Sequence, residues 1–279
     1  MNVREALASG RMILEEYEIE DAALEAEVLL RDVLKKTRVE LFLELDSELG
    51  QQEYAAFRRS IRQRCTDEPT AYILGRREFY GRDFLVDDRV LVPRPETEIL
   101  VGKAIELARD YEVPLLADVG TGCGAVAITL ALELPESQVY ATDISGDVLR
   151  VARRNCRKHA VSIRVHLLKG NLLEVLSKPV DIITANLPYI RTVDLPRIGT
   201  VSAEPRLALD GGIDGLERIR QLCRQAGSKL RPSGHMLLEI GEGQEEAVTM
   251  LLRSLFSGAK IEVMPDLSGI DRVVCLSLP

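Results

Sequence analysis

Asp118-Val-Gly-Thr-Gly-Cys-Gly124 closes one short apolar run and opens a longer one, and this glycine-dense junction restricts the fold more than any other stretch of the chain. The run before it, Leu115–Val119, has the length and composition of a buried strand, and the run after it, Ala125–Leu132, those of a helix. Gly120, Gly122 and Gly124 let the backbone approach a ligand, with Thr121 and Cys123 between them. A glycine loop in this place is a nucleotide or nucleoside site in the making. From it onward the chain alternates. Strands are predicted at Leu115–Val119, Gln138–Asp143, Ile163–Lys169, Val180–Ala185, His235–Ile240, Lys260–Met264 and Arg272–Leu276. Helices are predicted at Glu98–Arg109, Ala125–Leu132, Gly146–Lys158, Gly215–Ala226 and Gln244–Leu255. That rhythm calls for an α/β fold with a mostly parallel sheet covered on both faces. Pro265–Asp271 is too short for a helical crossover, so the last two of seven strands should pair antiparallel as a C-terminal hairpin.

The chain ahead of this region has a different texture. Ala26, Leu29, Leu30, Val33 and Leu34 recur at helical spacing behind Asp21, a candidate N-cap, and Tyr54, Phe57, Ile61 and Cys65 repeat the pattern after Gly50. Residues 1–75 are therefore expected to form a small all-helical domain. Residues 76–92 should be a β-hairpin linker, with strand-forming runs on either side of Asp87-Asp88, and 93–279 the α/β domain. The loop Arg191–Ala203 is the one internal stretch open to disorder.

Charge is unevenly shared. The net charge of the 279 residues is -8, of which residues 1–75, with 10 Lys/Arg against 16 Asp/Glu, carry -6. An acidic helical domain argues against a phosphate backbone as the partner. The cysteines Cys65, Cys123, Cys156, Cys223 and Cys275 form no CxxC pair, and His159, His166 and His235 are scattered, so neither a disulfide scaffold nor a metal site is expected. No stretch approaches the roughly 20 apolar residues needed to cross a bilayer. The expectation is a cytoplasmic monomer.

Asp143 ends the second strand of the α/β region, 23 residues beyond Gly120. A carboxylate there can accept both hydroxyl protons of a ribose, which suits NAD and S-adenosyl-L-methionine equally. Asn186-Leu187-Pro188-Tyr189, at the end of the fourth strand, separates the two. An amide nitrogen is a poor nucleophile because its lone pair is delocalised. If the Asn186 side-chain oxygen and the Leu187 carbonyl each accept one of its N–H groups, the nitrogen is held with its remaining electron density aimed at an activated methyl. Pro188 stiffens the turn and Tyr189 can cover a planar group. The chemistry is then methyl transfer to a planar nitrogen.

With these residues in view, the sequence resembles the HemK/PrmC family, the release factor glutamine methyltransferases. The resemblance runs through Glu68-Pro-Thr-Ala-Tyr-Ile-Leu-Gly75, Val92-Pro-Arg-Pro-Glu-Thr-Glu98, the loop Asp118–Gly124, Asn186–Tyr189, Glu204-Pro-Arg-Leu-Ala-Leu-Asp-Gly-Gly-Ile-Asp-Gly-Leu216 and Leu238-Glu-Ile-Gly241. It implies a Rossmann-like class I methyltransferase sheet and methyl transfer from S-adenosyl-L-methionine, leaving S-adenosyl-L-homocysteine. The acceptor it implies is the N5 side-chain amide of the Gly-Gly-Gln glutamine in peptide chain release factors. It places the cofactor against Gly120, Thr121, Gly122, Cys123, Gly124, Asp143, Asn171, Leu172 and Asn186, and the glutamine against Asn186 to Tyr189. Glu204 and Arg206, followed by Asp210-Gly211-Gly212, have two readings, the rim of the substrate pocket or a salt-linked loop. Arg94, Glu96 and Glu98 have two readings, a role beside the cofactor or a charged helix start. Two positions depart from the family pattern: Leu187 stands where a proline is usual, and Asn171 where an acidic residue is common. Asn-Leu-Pro-Tyr is also similar to the motif of ribosomal RNA adenine dimethyltransferases, so a nucleic-acid N6-adenine or N2-guanine methyltransferase is the alternative. A non-catalytic cofactor-binding protein is the third reading.

Overall fold

The computed structural model describes residues 1–195 and 203–279. They divide into two compact units, one comprising Met1–Arg76 with Ala203 and the other comprising 77–195 with Glu204–Pro279. Residues 196–202, within the loop predicted at Arg191–Ala203, lie outside the described residues.

The first unit consists of α1 (Val3–Glu16), α2 (Ala22–Leu34), α3 (Arg38–Leu43), α4 (Gln51–Arg64) and α5 (Thr70–Leu74). Its helix starts are written locally. Asn2 with Glu5, and Thr37 with Glu40, form capping boxes that satisfy otherwise orphaned N–H groups. The expected apolar stripes meet in one core containing Leu29, Leu30, Phe57 and Ile61. Asp21 precedes α2 as expected but does not cap it: its backbone is left-handed (φ 53°) and its side chain makes no cap hydrogen bond.

The second unit opens with a hairpin, β1 (Arg76–Phe79) and β2 (Arg82–Leu85). It turns at Tyr80-Gly81, where both residues are left-handed (φ 52° and 72°), as a two-residue hairpin loop requires. The strand pair expected around Asp87-Asp88 is not there. Asp87 instead accepts hydrogen bonds from the Arg89 guanidinium at 2.6 and 2.8 Å, holding a local turn. Phe79 and Phe84 are buried. The Leu85 N–H donates to Asn155 Oδ1 (2.7 Å), which ties the hairpin to the α/β core.

The core comprises α6 (Thr97–Ala108), β3 (Leu115–Val119), α7 (Ala125–Glu133), β4 (Gln138–Asp143), α8 (Gly146–Lys158), β5 (Val165–Lys169), β6 (Val180–Ala185), α9 (Arg206–Leu209), α10 (Glu217–Ala226), β7 (Leu230–Glu239), α11 (Glu245–Leu255), β8 (Lys260–Pro265) and β9 (Asp271–Ser277). Among the described residues these form a seven-stranded sheet, in the order β5-β4-β3-β6-β7-β9-β8. β3 and β6 are buried at every position, as central parallel strands covered on both faces must be. β9 runs antiparallel to both β7 and β8, giving the expected terminal hairpin. β7 begins five residues before the predicted His235, because its pairing with β6 jumps from Val180–Leu230 to Ile182–His235. Ser233, left-handed at φ 59°, lies in the intervening excursion.

Connections leave β3 toward β4 and leave β6 toward β7, so the strand order reverses between β3 and β6. Ligands of open α/β sheets bind outside the carboxyl ends of strands at such a switch point. The register pairs Val119 with Ala185, which sets Gly120 and Asn186 side by side at that crevice.

Candidate active site

A cavity of about 290 Å³ opens at the switch point. Gly120, Gly122 and Asp143 line one part of it and Asn186, Leu187 and Pro188 another, with Asn171 and Leu172 also on the wall. The glycine loop is fixed from behind: the N–H groups of Gly120 and Thr121 both donate to the Thr142 carbonyl at 2.9 Å. Gly120 is left-handed (φ 72°), and a methyl group built on it would lie 2.9 Å from Leu187 Cδ2. The two motifs therefore touch only because residue 120 has no side chain.

Asp118 is buried beneath the loop and accepts hydrogen bonds from the hydroxyls of Thr121 (2.6 Å) and Thr184 (3.1 Å). Burial pushes its carboxyl up to about 6. Asp143 accepts from the N–H groups of Gly122 (3.2 Å) and Ser145 (2.9 Å), and burial raises its carboxyl above the ordinary value. Asn171 Nδ2 donates to Glu174 (2.7 Å), and Leu172 is held left-handed at φ 54°, a costly conformation for a branched side chain. Thr142 Oγ1, buried and without a hydrogen-bond partner among the described residues, belongs to a residue of the cavity wall.

Asn186 is held from the side away from the glycine loop. Its Nδ2 donates to Thr97 Oγ1 (3.0 Å), and the Thr97 hydroxyl donates to Glu239 Oε2 (2.6 Å). Burial pushes the Glu239 carboxyl up to about 7. With its nitrogen so held, Asn186 keeps its amide oxygen as an acceptor. Leu187, buried in the sheet core, anchors the turn by packing where a proline would stiffen it.

The segment Glu204–Leu216 supports this turn from outside. The Ile190 N–H donates to the Leu209 carbonyl (3.1 Å) and the Gly211 N–H to the Ile190 carbonyl (2.8 Å). A methyl group on Gly211 would come within 2.7 Å of the Pro188 carbonyl and 2.8 Å of Tyr189 Cα. The Tyr189 carbonyl accepts from Gln244 Nε2 (3.0 Å), and burial pushes the Tyr189 phenol up to about 12.

The structure does not gather every expected residue at the cavity. Thr121, Cys123, Gly124 and Tyr189 do not line it. The Cys123 carbonyl accepts from Asn155 Nδ2 (2.8 Å), and burial pushes its thiol up to about 12. Glu204 is buried, with one carboxylate oxygen accepting from the Val92 N–H (2.8 Å) and the other paired with Arg94, so it straps two loops together. Glu98 accepts from the Tyr80 N–H (2.8 Å), a structural use. The sequence reading missed Arg89, Val90, Leu207 and Arg218 on the cavity wall. It also missed the Thr97–Glu239 link, whose partners are 142 residues apart. Both link residues stand inside quoted motifs, which is the only signal that marked them.

Comparison with known proteins agrees with this geometry. A model of the PrmC N-terminal domain matches residues 5–75, and a model of a methyltransferase domain matches residues 116–210. A release factor glutamine methyltransferase of Moorella thermoacetica is 42% identical over 98% of this chain and 97% of its own length. One from Geobacter sulfurreducens is 40% identical over 98% and 95%. Among solved structures, the catalytic domain of hMettl16 aligns with a TM-score of 0.60 at 12% identity, covering 89% of this chain and 90% of that one. A methyltransferase from Pyrococcus furiosus aligns with a TM-score of 0.53 at 18% identity, covering 71% and 90%. The solved structures show a shared methyltransferase fold and no more. The full-length relatives go further, and by them the chain belongs to the release factor glutamine methyltransferase family.

Proposed function

We propose that this chain transfers a methyl group from S-adenosyl-L-methionine to the N5 side-chain amide of the Gly-Gly-Gln glutamine in peptide chain release factors, as a cytoplasmic monomer. The observation that carries the reading is the Asn186 turn beside the glycine loop, with the amide nitrogen of Asn186 already engaged by Thr97. Names of relatives identical at about 40% over nearly the whole chain supply the acceptor.

The cavity fits the cofactor in two respects. Asp143 presents a carboxylate for ribose hydroxyls, and Thr142 carries a buried unpartnered hydroxyl. Gly120, Gly122, Asp143, Asn171 and Leu172 would hold it, while Thr121, Cys123 and Gly124 shape the loop. When bound, S-adenosyl-L-methionine supplies an electrophilic methyl group on a sulfonium sulfur.

The protein's own contribution is positioning. Asn186 Oδ1 and the Leu187 carbonyl accept the two N–H groups of the glutamine amide and fix the plane of that group. Holding a weak nucleophile in an attack geometry can supply several kcal/mol of the barrier, on the order of 7–11 in the best cases. Pro188 keeps the acceptor carbonyl in place by fixing φ. Tyr189 stiffens the turn from behind, and the helical unit docks the release factor.

Radioactive methyl from S-adenosyl-L-methionine should enter purified release factor in the presence of this protein. The label should vanish when the Gly-Gly-Gln glutamine is replaced by alanine. Label that persists in that variant, or that enters RNA or DNA instead, would overturn the proposal.

A further inference from the structure

Asn186 can accept an N–H from substrate only if its amide oxygen, not its NH2, faces outward. An amide's two ends are nearly alike in size, so packing alone does not choose between them. Partner polarity does. Glu239 is 1% exposed, and its carboxylate takes the single hydrogen of the Thr97 hydroxyl. Thr97, with that hydrogen committed, can meet Asn186 only as an acceptor, and Asn186 Nδ2 donates to it. We infer that Thr97 and Glu239 are positioning residues for methyl transfer: together they orient the Asn186 amide with Oδ1 toward the substrate nitrogen.

This inference rests on the proposed role of Asn186 and adds the device that keeps it in register. It gives a use to Thr97 of the Arg-Pro-Glu-Thr-Glu segment and to Glu239 of Leu-Glu-Ile-Gly, two motifs with no other chemical assignment. It also has a consequence in pH. The groups facing Glu239 are the Thr97 hydroxyl and the Asn186 amide, which both hydrogen-bond to it and favour its charge, Arg272 from β9, which also favours it, Glu96 ahead of α6, which opposes it, and the Tyr189 phenol. Burial is the largest influence and sets the carboxyl at about 7. Once protonated, Glu239 can donate to Thr97, Thr97 can turn its hydrogen to Asn186, and the amide can flip to present NH2 to the substrate. Donor would then face donor, so turnover should rise with pH through about 7.

The test is steady-state methylation of release factor by full-length wild type, Thr97→Ser, Thr97→Val, Glu239→Gln and Asn186→Ala, with cofactor affinity measured by calorimetry. Thr97→Val and Glu239→Gln should lower kcat by roughly 10- to 100-fold, with KM and cofactor affinity held within about threefold. Thr97→Ser, which keeps the hydroxyl, should retain wild-type turnover, and the ascending pH limb of kcat should vanish in Glu239→Gln. Wild-type kcat in Thr97→Val, or a Thr97→Ser variant no better than it, overturns the inference. If Asn186→Ala is inactive while Thr97→Val is normal, only the positioning role fails; if Asn186→Ala turns over normally, the reading beneath it fails. Should Thr97→Val or Glu239→Gln not fold, the wild-type profile and Thr97→Ser decide, and a kcat that stays flat across neutral pH overturns the inference.

Discussion

Asp118 is the residue on which the cofactor loop stands, and its chemistry can be read from stability. Its carboxyl is 2% exposed and pushed from 3.8 up to about 6, chiefly by burial. The folded protein therefore holds that proton more tightly than the unfolded chain. The associated stability is complete below the unfolded value and is lost as pH rises through the folded one. A displacement of this size corresponds to on the order of 3 kcal/mol. Asp118→Asn removes the titration while keeping an oxygen for one threonine hydroxyl. Denaturant unfolding of wild type and Asp118→Asn should show wild type losing about that much relative to the variant between roughly pH 4 and pH 7. A stability difference that does not change over that interval would contradict the buried-carboxylate assignment.

At the scale of elements, the Asn186–Tyr189 turn owes its position to Glu204–Leu216 lying against it without side chains in the way. Gly211→Ala would set a methyl group 2.7 Å from the Pro188 carbonyl, a distance that backbone must relieve by moving. Overpacking of this kind costs about 1–3 kcal/mol. Because the atom displaced belongs to the proposed substrate clamp, kcat should fall by roughly 100-fold. Methylation kinetics beside thermal unfolding of Gly211→Ala check this, and a stability loss with unchanged kcat would show that the clamp does not depend on the support. The same elements show what a sequence reveals. The glycine loop, the parallel strands and the terminal hairpin were legible because period, length and turn residues are local signals. The turn at Tyr80-Gly81 was not, because tyrosine rarely adopts a left-handed backbone and Asp87-Asp88 looks the better turn. The Glu204 strap and the Thr97–Glu239–Asn186 chain were hidden for another reason. Their partners are 89 to 142 residues apart, and only the strand order brings them together.

For the whole molecule, the relevant fact is that each unit has a core of its own, one built on Leu29, Leu30, Phe57 and Ile61 and the other on the seven-stranded sheet. Units of this kind can fold separately. The cavity is lined entirely from the second unit, so cofactor binding should not need the first. The helical unit carries most of the negative charge and none of the lining residues. Its expected task is to bind parts of the release factor remote from the glutamine, and remote binding energy is what lowers the barrier for a protein substrate relative to a short peptide. A chain comprising residues 77–279 should therefore bind S-adenosyl-L-methionine within about threefold of full length and methylate a short Gly-Gly-Gln peptide equally well. Its kcat/KM for intact release factor should fall at least about tenfold, because that binding energy is gone. Calorimetry and paired kinetics on peptide and protein substrates separate the cases: undiminished kcat/KM on the intact factor would remove the docking role, and loss of cofactor affinity would mean that the two cores are not independent.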